Sequence, residues 1–244
     1  MKLNNNKILI TGATSGIGKA LTEKLCKLDN QVIAVGRNME MLDTLAKSDN
    51  RIITFQCDLS SETEINHLVS FIKQNHSDLN ILINNAAIQY NCRFDEATYS
   101  AEKIENEINI NLIAPIKLSF YLLPILRVNC NAAIVNISSA LGIVPKAISS
   151  VYCGTKAAIH IYTKSLRYQL EDVKVFEVIP PLVDTEMTKG RGKNKISTKK
   201  LVDEFIKAFR NNKYEINIHK VKLLRILNRI SPKIADKIMK RTTL

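Results

Sequence analysis

Two segments of this chain carry a tyrosine one helical turn ahead of a lysine: Tyr99–Lys103 and Tyr152–Lys156. On a helix such a pair shares a face. The ammonium stabilises phenolate and draws the tyrosine pKa down from about 10 toward working pH. That gives a general acid for reducing a carbonyl, or a base for oxidising an alcohol. The copies differ in context. Tyr152 lies 13 residues after Ser139, on a segment that reads as a buried helix, whereas Tyr99 lies in a polar stretch with Ala86 at the matching upstream position. A chain with 35 Lys and Arg produces the pattern by chance, so the pair means something only through its partners.

The elements that must position those partners follow from periodicity. Short apolar runs rich in Ile and Val recur at Lys7–Thr11, Gln31–Val35, Ile52–Gln56, Ile81–Asn84, Ala132–Ile137 and Lys174–Ile179. Runs of this kind predict strands covered on both faces. Between them lie helical patterns, such as Ile17, Ala20, Leu21 and Leu25, or Ile65, Leu68, Val69 and Ile72. A helix around Leu201–Phe209 and a seventh strand at Tyr214–His219 complete the series. The alternation predicts one α/β domain over residues 1–244: a doubly wound, Rossmann-type parallel sheet of about seven strands with helices on both faces. Lys189–Lys200 reads as a mobile loop.

The first strand runs directly into Thr11-Gly12-Ala13-Thr14-Ser15-Gly16-Ile17-Gly18 and an amphipathic helix. Glycines in a strand–turn–helix let backbone N–H groups approach a pyrophosphate at the positive end of the helix. Gly12, Thr14, Ser15, Gly16, Ile17 and Gly18 are therefore expected to cradle a dinucleotide. The second strand ends in Val35-Gly36-Arg37-Asn38, with no carboxylate for a ribose 2′-hydroxyl. Arg37 suits a 2′-phosphate and favours NADP(H) over NAD(H). Asp58-Leu59, after the third strand, is placed to meet the adenine, and Asn84-Asn85-Ala86-Ala87 ends the fourth.

Taken in this order, T-G-x-x-x-G-I-G, N-N-A-x, I-S-S and Y-x-x-x-K resemble the short-chain dehydrogenase/reductase family, over the whole chain. The resemblance implies an oxidoreductase that interconverts a carbonyl and an alcohol by hydride transfer. It implies Tyr152 as proton donor or acceptor, with Lys156 lowering its pKa and holding the nicotinamide ribose. Ser139 would hydrogen-bond the substrate carbonyl, and Asn111, in Asn111-Leu112-Ile113-Ala114, would anchor a water in the proton relay. Ser138 is the alternative hydroxyl, but the spacing to Tyr152 favours Ser139. Asn85, Val183 and Thr185 match cofactor-binding positions. Two departures stand out: Ala87 where the family usually has glycine, and Pro181 in place of the glycine of Pro-Gly. Pro180-Pro181-Leu182-Val183-Asp184-Thr185, with Ile230-Ser231-Pro232-Lys233-Ile234-Ala235, is similar to the DltE-like subgroup, whose name establishes no substrate. The competing class is a non-catalytic nucleotide sensor or membrane-peripheral scaffold on the same fold. A sensor has no need of the Asn–Ser–Tyr–Lys set.

Residues 187–244 carry 17 Lys or Arg against 4 Asp or Glu, while residues 1–186 carry 18 against 19. The basic excess is thus confined to the C-terminal quarter. There, residues 220–244 predict amphipathic helices with Leu223, Leu224, Ile226, Leu227 and Ile230 on one face and Lys222, Arg225 and Arg229 on another. These suit a cap over the substrate cleft, a subunit contact, a weak contact with an anionic membrane surface, or attraction of an anionic substrate. Nucleic acid is not expected as a partner, since the excess is local and no recognition motif accompanies it. A homodimer or homotetramer acting on a small carbonyl or alcohol is expected, with residues 184–212 shaping the substrate site. No apolar run approaches the roughly 18 residues that span a bilayer, and the N-terminus lacks a secretory h-region. Five scattered cysteines argue for a reducing compartment, hence a cytoplasmic or membrane-peripheral protein, and offer no metal site. Cys153 and the four histidines read as structural or exposed.

Overall fold

The computed structural model describes residues 1–241. Seven strands form one parallel sheet: β1 (Lys7–Thr11), β2 (Gln31–Gly36), β3 (Ile52–Gln56), β4 (Ile81–Asn84), β5 (Ala133–Ile137), β6 (Lys174–Ile179) and β7 (Glu215–Asn217). Their order is β3-β2-β1-β4-β5-β6-β7. The chain winds outward one way through β1 to β3, then returns to the other side of β1 with β4. That reversal opens a crevice at the carboxyl ends of β1 and β4, the place where open α/β sheets bind ligands.

Residues alternate between two cores along each strand. Ile8 and Ile10 face the layer of α1 (Gly16–Cys26) and α7 (Thr198–Arg210), with Leu21, Leu25, Leu201 and Phe205 buried there. Leu9 faces the layer of α3 (Glu62–Asn75) and α5 (Ala114–Val128), with Leu68, Ile72, Leu118 and Leu122. Because both faces are covered, the strands read as continuous apolar runs. The expected strands all form; the largest trimming is at β7, which is three residues long. The remaining helices are α2 (Met39–Ser48), α4 (Ala101–Ile108), α6 (Ser150–Gln169), α8 (Val221–Ile230) and α9 (Pro232–Arg241).

Three features differ from the sequence reading. First, α4, a π-helical turn at Asn109–Ile113 and α5 run on as one 28-residue helix, Ala101–Val128, long and apolar enough by composition to cross a membrane. Its polar N-terminal third hid this length. One side of it is bound into the core through Ala114, Leu118, Leu122 and Leu126. Second, Lys189–Lys200 is not one loop. Val183 bridges Ile196, Ser197 caps α7, and Ile196 joins the core. The apolar face of α7 belongs to that core. Third, the apolar face expected in α8 is divided. Val221 packs on Ile179 and Ala140 with Leu224 beside them, while Leu223, Ile226 and Ile230 are exposed.

Candidate active site

A cavity of about 670 Å³ lies at the crevice. Its floor is the glycine turn. Gly12 and Gly16 have φ of 63° and 52°, a backbone region L side chains rarely adopt. A Cβ on Gly12 would come within 2.9 Å of the Ala86 backbone, so the turn is closed tightly onto the end of β4. Gly18 does not line the cavity. A Cβ there would meet the Gly12 carbonyl at 2.1 Å, so this glycine lets α1 approach the strand. Ser15 stands at the N-cap of α1 without capping it through its side chain. The first-turn N–H groups are therefore open toward the cavity, and a pyrophosphate would satisfy them. Thr11 and Asn85 fix the turn: Thr11 Oγ1 accepts from the N–H groups of Asn85 and Ala86, and Asn85 Nδ2 donates to the Thr11 carbonyl at 2.9 Å. A glycine cradle, an uncapped helix start and a long cavity fit a dinucleotide.

At the β2–β3 side the cavity is bordered by Arg37, Cys57 and Leu59. Asp58 is not part of the lining; its Oδ1 accepts from the Ser60 N–H and hydroxyl, and its Oδ2 lies 4.0 Å from Arg37. Arg37 is 57% exposed and reaches Asp58 only at 4.0 Å, so its guanidinium can turn to a phosphate at the rim. Ala87 lines the cavity and does not have the positive φ that would call for glycine. Pro181 likewise has negative φ, and Pro180 keeps its carbonyl bonded to the Ala140 N–H. Both departures from the family pattern are therefore free of backbone strain. Thr185 lines the cavity beside Gly16, whereas Val183 is buried behind it in the bridge to Ile196.

Tyr152 and Lys156 share the inner face of α6, and both are buried. Lys156 Nζ donates to the Ile137 carbonyl at the end of β5 at 2.9 Å and stands 5.7 Å from the Tyr152 ring centre. It has no carboxylate partner among the described residues. Burial pulls its pKa from 10.5 down to about 8. Burial pushes the Tyr152 phenol up to about 12, while a hydrogen bond with Ser139 pulls the other way. Ser139 caps a short 3₁₀ turn, Ala140–Gly142, its Oγ accepting from the Leu141 N–H. Ser138, Tyr152 and Lys156 line the cavity, while Ser139, half-buried, and Asn111, buried, are adjacent in the chain or fold but not part of that lining.

Asn111 sits in the π-helical turn. Pro115, four residues on, has no N–H to give the Asn111 carbonyl, so the α-helical ladder is broken there. The Ala114 N–H bonds to Asn109 instead. The Asn111 amide clasps the backbone of Ile88 from both sides, at 2.8 Å each, which ties this helix to the cavity wall after β4.

Sequence reasoning missed a buried network beneath these groups. Glu177 on β6 is 1% exposed, yet its carboxylate accepts from the Ser138 hydroxyl at 2.5 Å and pairs with His160 Nδ1 at 2.8 Å. His160 follows Lys156 by one turn, so the carboxylate locks α6 to β5 and β6. A second ladder runs from Asn84 Nδ2 to Asn136 Oδ1, and from Asn136 Nδ2 to Thr163. The other Tyr-x-x-x-Lys copy has a different fate. The Tyr99 hydroxyl donates to Glu107, Lys103 bonds the Thr98 carbonyl, and the Tyr99 pKa is pushed up to about 12 by burial. That pair holds a local cluster together and shares no face of the cavity.

A doubly wound sheet, a glycine-floored cleft and a buried Tyr–Lys pair with Ser139 upstream define an α/β oxidoreductase with a nicotinamide cofactor. The chain matches the short chain dehydrogenase family over residues 6–196. It is 37% identical over 233 residues to the uncharacterized oxidoreductase DltE of Bacillus subtilis, covering 92% of each chain. Its fold superposes on a short-chain dehydrogenase of Sphingobium yanoikuyae in complex with NADPH, with TM-score 0.83, 25% identity and 94% of each chain covered. A short-chain dehydrogenase of Burkholderia cenocepacia in complex with NADP gives TM-score 0.87 at 23% identity, covering 98% of this chain and 99% of that one. The chain belongs to the short-chain dehydrogenase/reductase family, with DltE-like relatives, and is an enzyme acting on CH–OH and C=O groups.

The unpaired ammonium predicts a conflict between stability and activity. Lys156 is easier to protonate unfolded than folded, so its burial cost is fully present below pH 8 and gone above about 10.5. Lys156→Met should stabilise the cofactor-free protein at pH 7 by up to about 3 kcal/mol. The advantage should shrink to nothing by about pH 10.5. Urea unfolding across that range measures it; a variant less stable than wild type at pH 7 would contradict the assignment.

Proposed function

We propose that this protein is an NADP(H)-dependent carbonyl reductase, or the reverse alcohol dehydrogenase, with Tyr152 as general acid and base. One observation carries the reading: Tyr152 and Lys156 both line the cavity from the inner face of α6, with the Lys156 ammonium 5.7 Å from the Tyr152 ring centre and Ser139 just beyond the end of β5. When bound, the cofactor supplies or accepts the hydride. In reduction, Ser139 and Tyr152 hold the carbonyl oxygen between two hydroxyl groups. Tyr152 gives that oxygen its proton, and the Lys156 ammonium stabilises the phenolate left behind. Asn111, whose carbonyl is freed by Pro115, holds the water that returns a proton through Lys156. Gly12, Ser15, Gly16 and Ile17 hold the pyrophosphate, Arg37 the 2′-phosphate, and Lys156 and Thr185 the nicotinamide end. The exposed arginine and the lack of a carboxylate at the end of β2 support NADP(H) over NAD(H).

The outer surface supports two contacts. Phe120, Val128, Ile161 and Tyr168 are all at least 62% exposed on α5 and α6, an apolar face suited to a second copy of the chain. Leu223, Ile226, Ile230, Ile234 and Ile238 lie exposed on α8 and α9 among Lys222, Arg229, Lys233 and Lys237. That pattern suits the surface of an anionic membrane. The five free cysteines suit a reducing compartment, and a cytoplasmic, membrane-peripheral location follows. Ile226→Asp with Ile230→Asp should abolish flotation with phosphatidylglycerol vesicles; equal flotation of variant and wild type would rule the membrane contact out.

Cofactor titration followed by carbonyl-dependent oxidation of NADPH tests the reaction. Tyr152→Phe should bind NADPH as wild type does and lose turnover by about 10²–10⁴-fold. Equal turnover would refute the mechanism. Arg37→Ala should weaken NADPH by about tenfold or more and leave NADH little changed; an equal loss for both would remove the 2′-phosphate role.

A further inference from the structure

The wall beyond the nicotinamide end carries cations that the reaction above does not use. Ile88, clasped by Asn111, is followed by Gln89, so this strand of the wall continues from the cofactor cavity toward the substrate. Arg191 reaches across from the loop after β6, and its Nη1 donates to Gln89 Oε1 at 3.0 Å. The loop is shaped to send it there. Gly190 and Gly192 flank it with φ of 72° and 63°, and a Cβ on Gly192 would strike Leu182 at 2.4 Å. The Arg191 N–H is itself fixed to the Thr188 carbonyl.

Lys146 approaches from the segment before α6. Its Nζ donates to Asn91 Oδ1 at 2.5 Å, two residues beyond Gln89. Ser149, which contacts the same oxygen, lies one turn before Tyr152 on α6. Gln89 and Asn91 thus bring Arg191 and Lys146 to one short segment of the wall, and Ser149, the N-cap of α6, ties that segment to the helix that carries Tyr152. Both cations are partly buried, and burial lowers the pKa of each. Among the described residues neither has a carboxylate within ion-pair distance; each bonds a neutral amide instead. The nearby carboxylate, Glu107, is committed to the Tyr90 N–H and the Tyr99 hydroxyl. Finally, Gln89 Nε2 is buried with no acceptor at all.

Two cations bonded only to neutral amides of one short segment, next to an amide donor without a partner, form a receptor for an anion. A planar guanidinium with a flanking ammonium and amide matches the oxygens of a carboxylate or a phosphate. We propose that Arg191, Gln89 and Lys146 form an anion subsite beside Tyr152, and that the carbonyl substrate carries a carboxylate or phosphate group. This rests on the reading of Tyr152 as the acid of a carbonyl reductase and names the substrate class for that site. The basic charge of the C-terminal quarter adds a field that draws such a substrate in.

The test has a kinetic arm and a binding arm. In the first, kcat/KM is measured with NADPH for matched aldehydes that end in a hydroxyl, a carboxylate or a phosphate monoester. Wild type should favour a charged member over the neutral one by about 10–100-fold, and whether carboxylate or phosphate leads identifies the group. Arg191→Ala and Lys146→Gln should each cut that ratio by about fivefold or more. Arg191→Lys should restore part of it. Ratios unchanged within about twofold in both variants would overturn the subsite. In the binding arm, inorganic phosphate and acetate are titrated in thermal shift with NADPH saturating, which occupies the pyrophosphate cradle. One of these anions should raise the melting temperature of wild type and not of Arg191→Ala; equal shifts in the two would overturn the subsite. Should wild type reduce no aldehyde while the binding arm succeeds, it is the carbonyl-reductase reading that fails and the anion subsite that stands.

Discussion

Lys156 is a cation buried at the centre of the fold with a single backbone carbonyl for a partner, and the surrounding architecture is arranged around holding it there. Burying an ammonium without a carboxylate costs stability. The fold accepts the cost by anchoring the helix that carries it. Glu177 bonds Ser138 and His160, and the Asn84–Asn136–Thr163 ladder adds a second tie, so α6 cannot slide against β4, β5 and β6. A carboxylate close to the ammonium would neutralise its charge. Instead the acid is placed on β6, one turn farther along α6, where it fixes position without quenching the charge.

The same economy governs the nucleotide end. β1 meets α1 through a turn so tight that Gly12 and Gly18 admit no side chain. The helix is left uncapped by Ser15, so its first N–H groups face the cavity. Asn85 and Thr11 hold that turn against the end of β4, and Asn111 holds Ile88 just beyond. The crevice created by the strand order is thereby lined with backbone whose position is set by side-chain amides. The π-helical turn before Pro115 keeps the helix continuous while Pro115 offers the Asn111 carbonyl no N–H.

Much of this was legible in the sequence because the signals are local. Strands covered on both faces are unbroken Ile/Val runs, and β1 to β6 follow from them almost to the residue. Gly12, Gly16, Ser139, Tyr152 and Lys156 are singled out by spacing within one or two elements, and the structure brings Gly12, Gly16, Tyr152 and Lys156 to one cavity. The rest depends on contacts across the fold. Glu177 and His160 look like a solvated acid and a helix-surface histidine until β6 is set against α6. Gln89 and Arg191 meet across 102 residues. The continuous helix from Ala101 to Val128 was obscured because its polar start and apolar end differ in character, and the π-helical turn between them leaves no distinct periodicity. Asp58 and Val183 sit at family positions, but the residues that line the cavity there are their neighbours Cys57, Leu59 and Thr185.

The central claim is that Tyr152 is kept neutral by burial and becomes ionisable through Lys156 when the cleft is filled. Its ¹³Cζ resonance, assigned by its loss in Tyr152→Phe, reports that state directly. In the free protein the phenol should stay un-ionised past pH 10, as its rise to about 12 requires. Adding NADP⁺ should draw the midpoint down by about one pH unit or more in wild type and not in Lys156→Met. A midpoint at the ordinary tyrosine value in the free protein, or one that NADP⁺ moves equally in both proteins, would contradict the account.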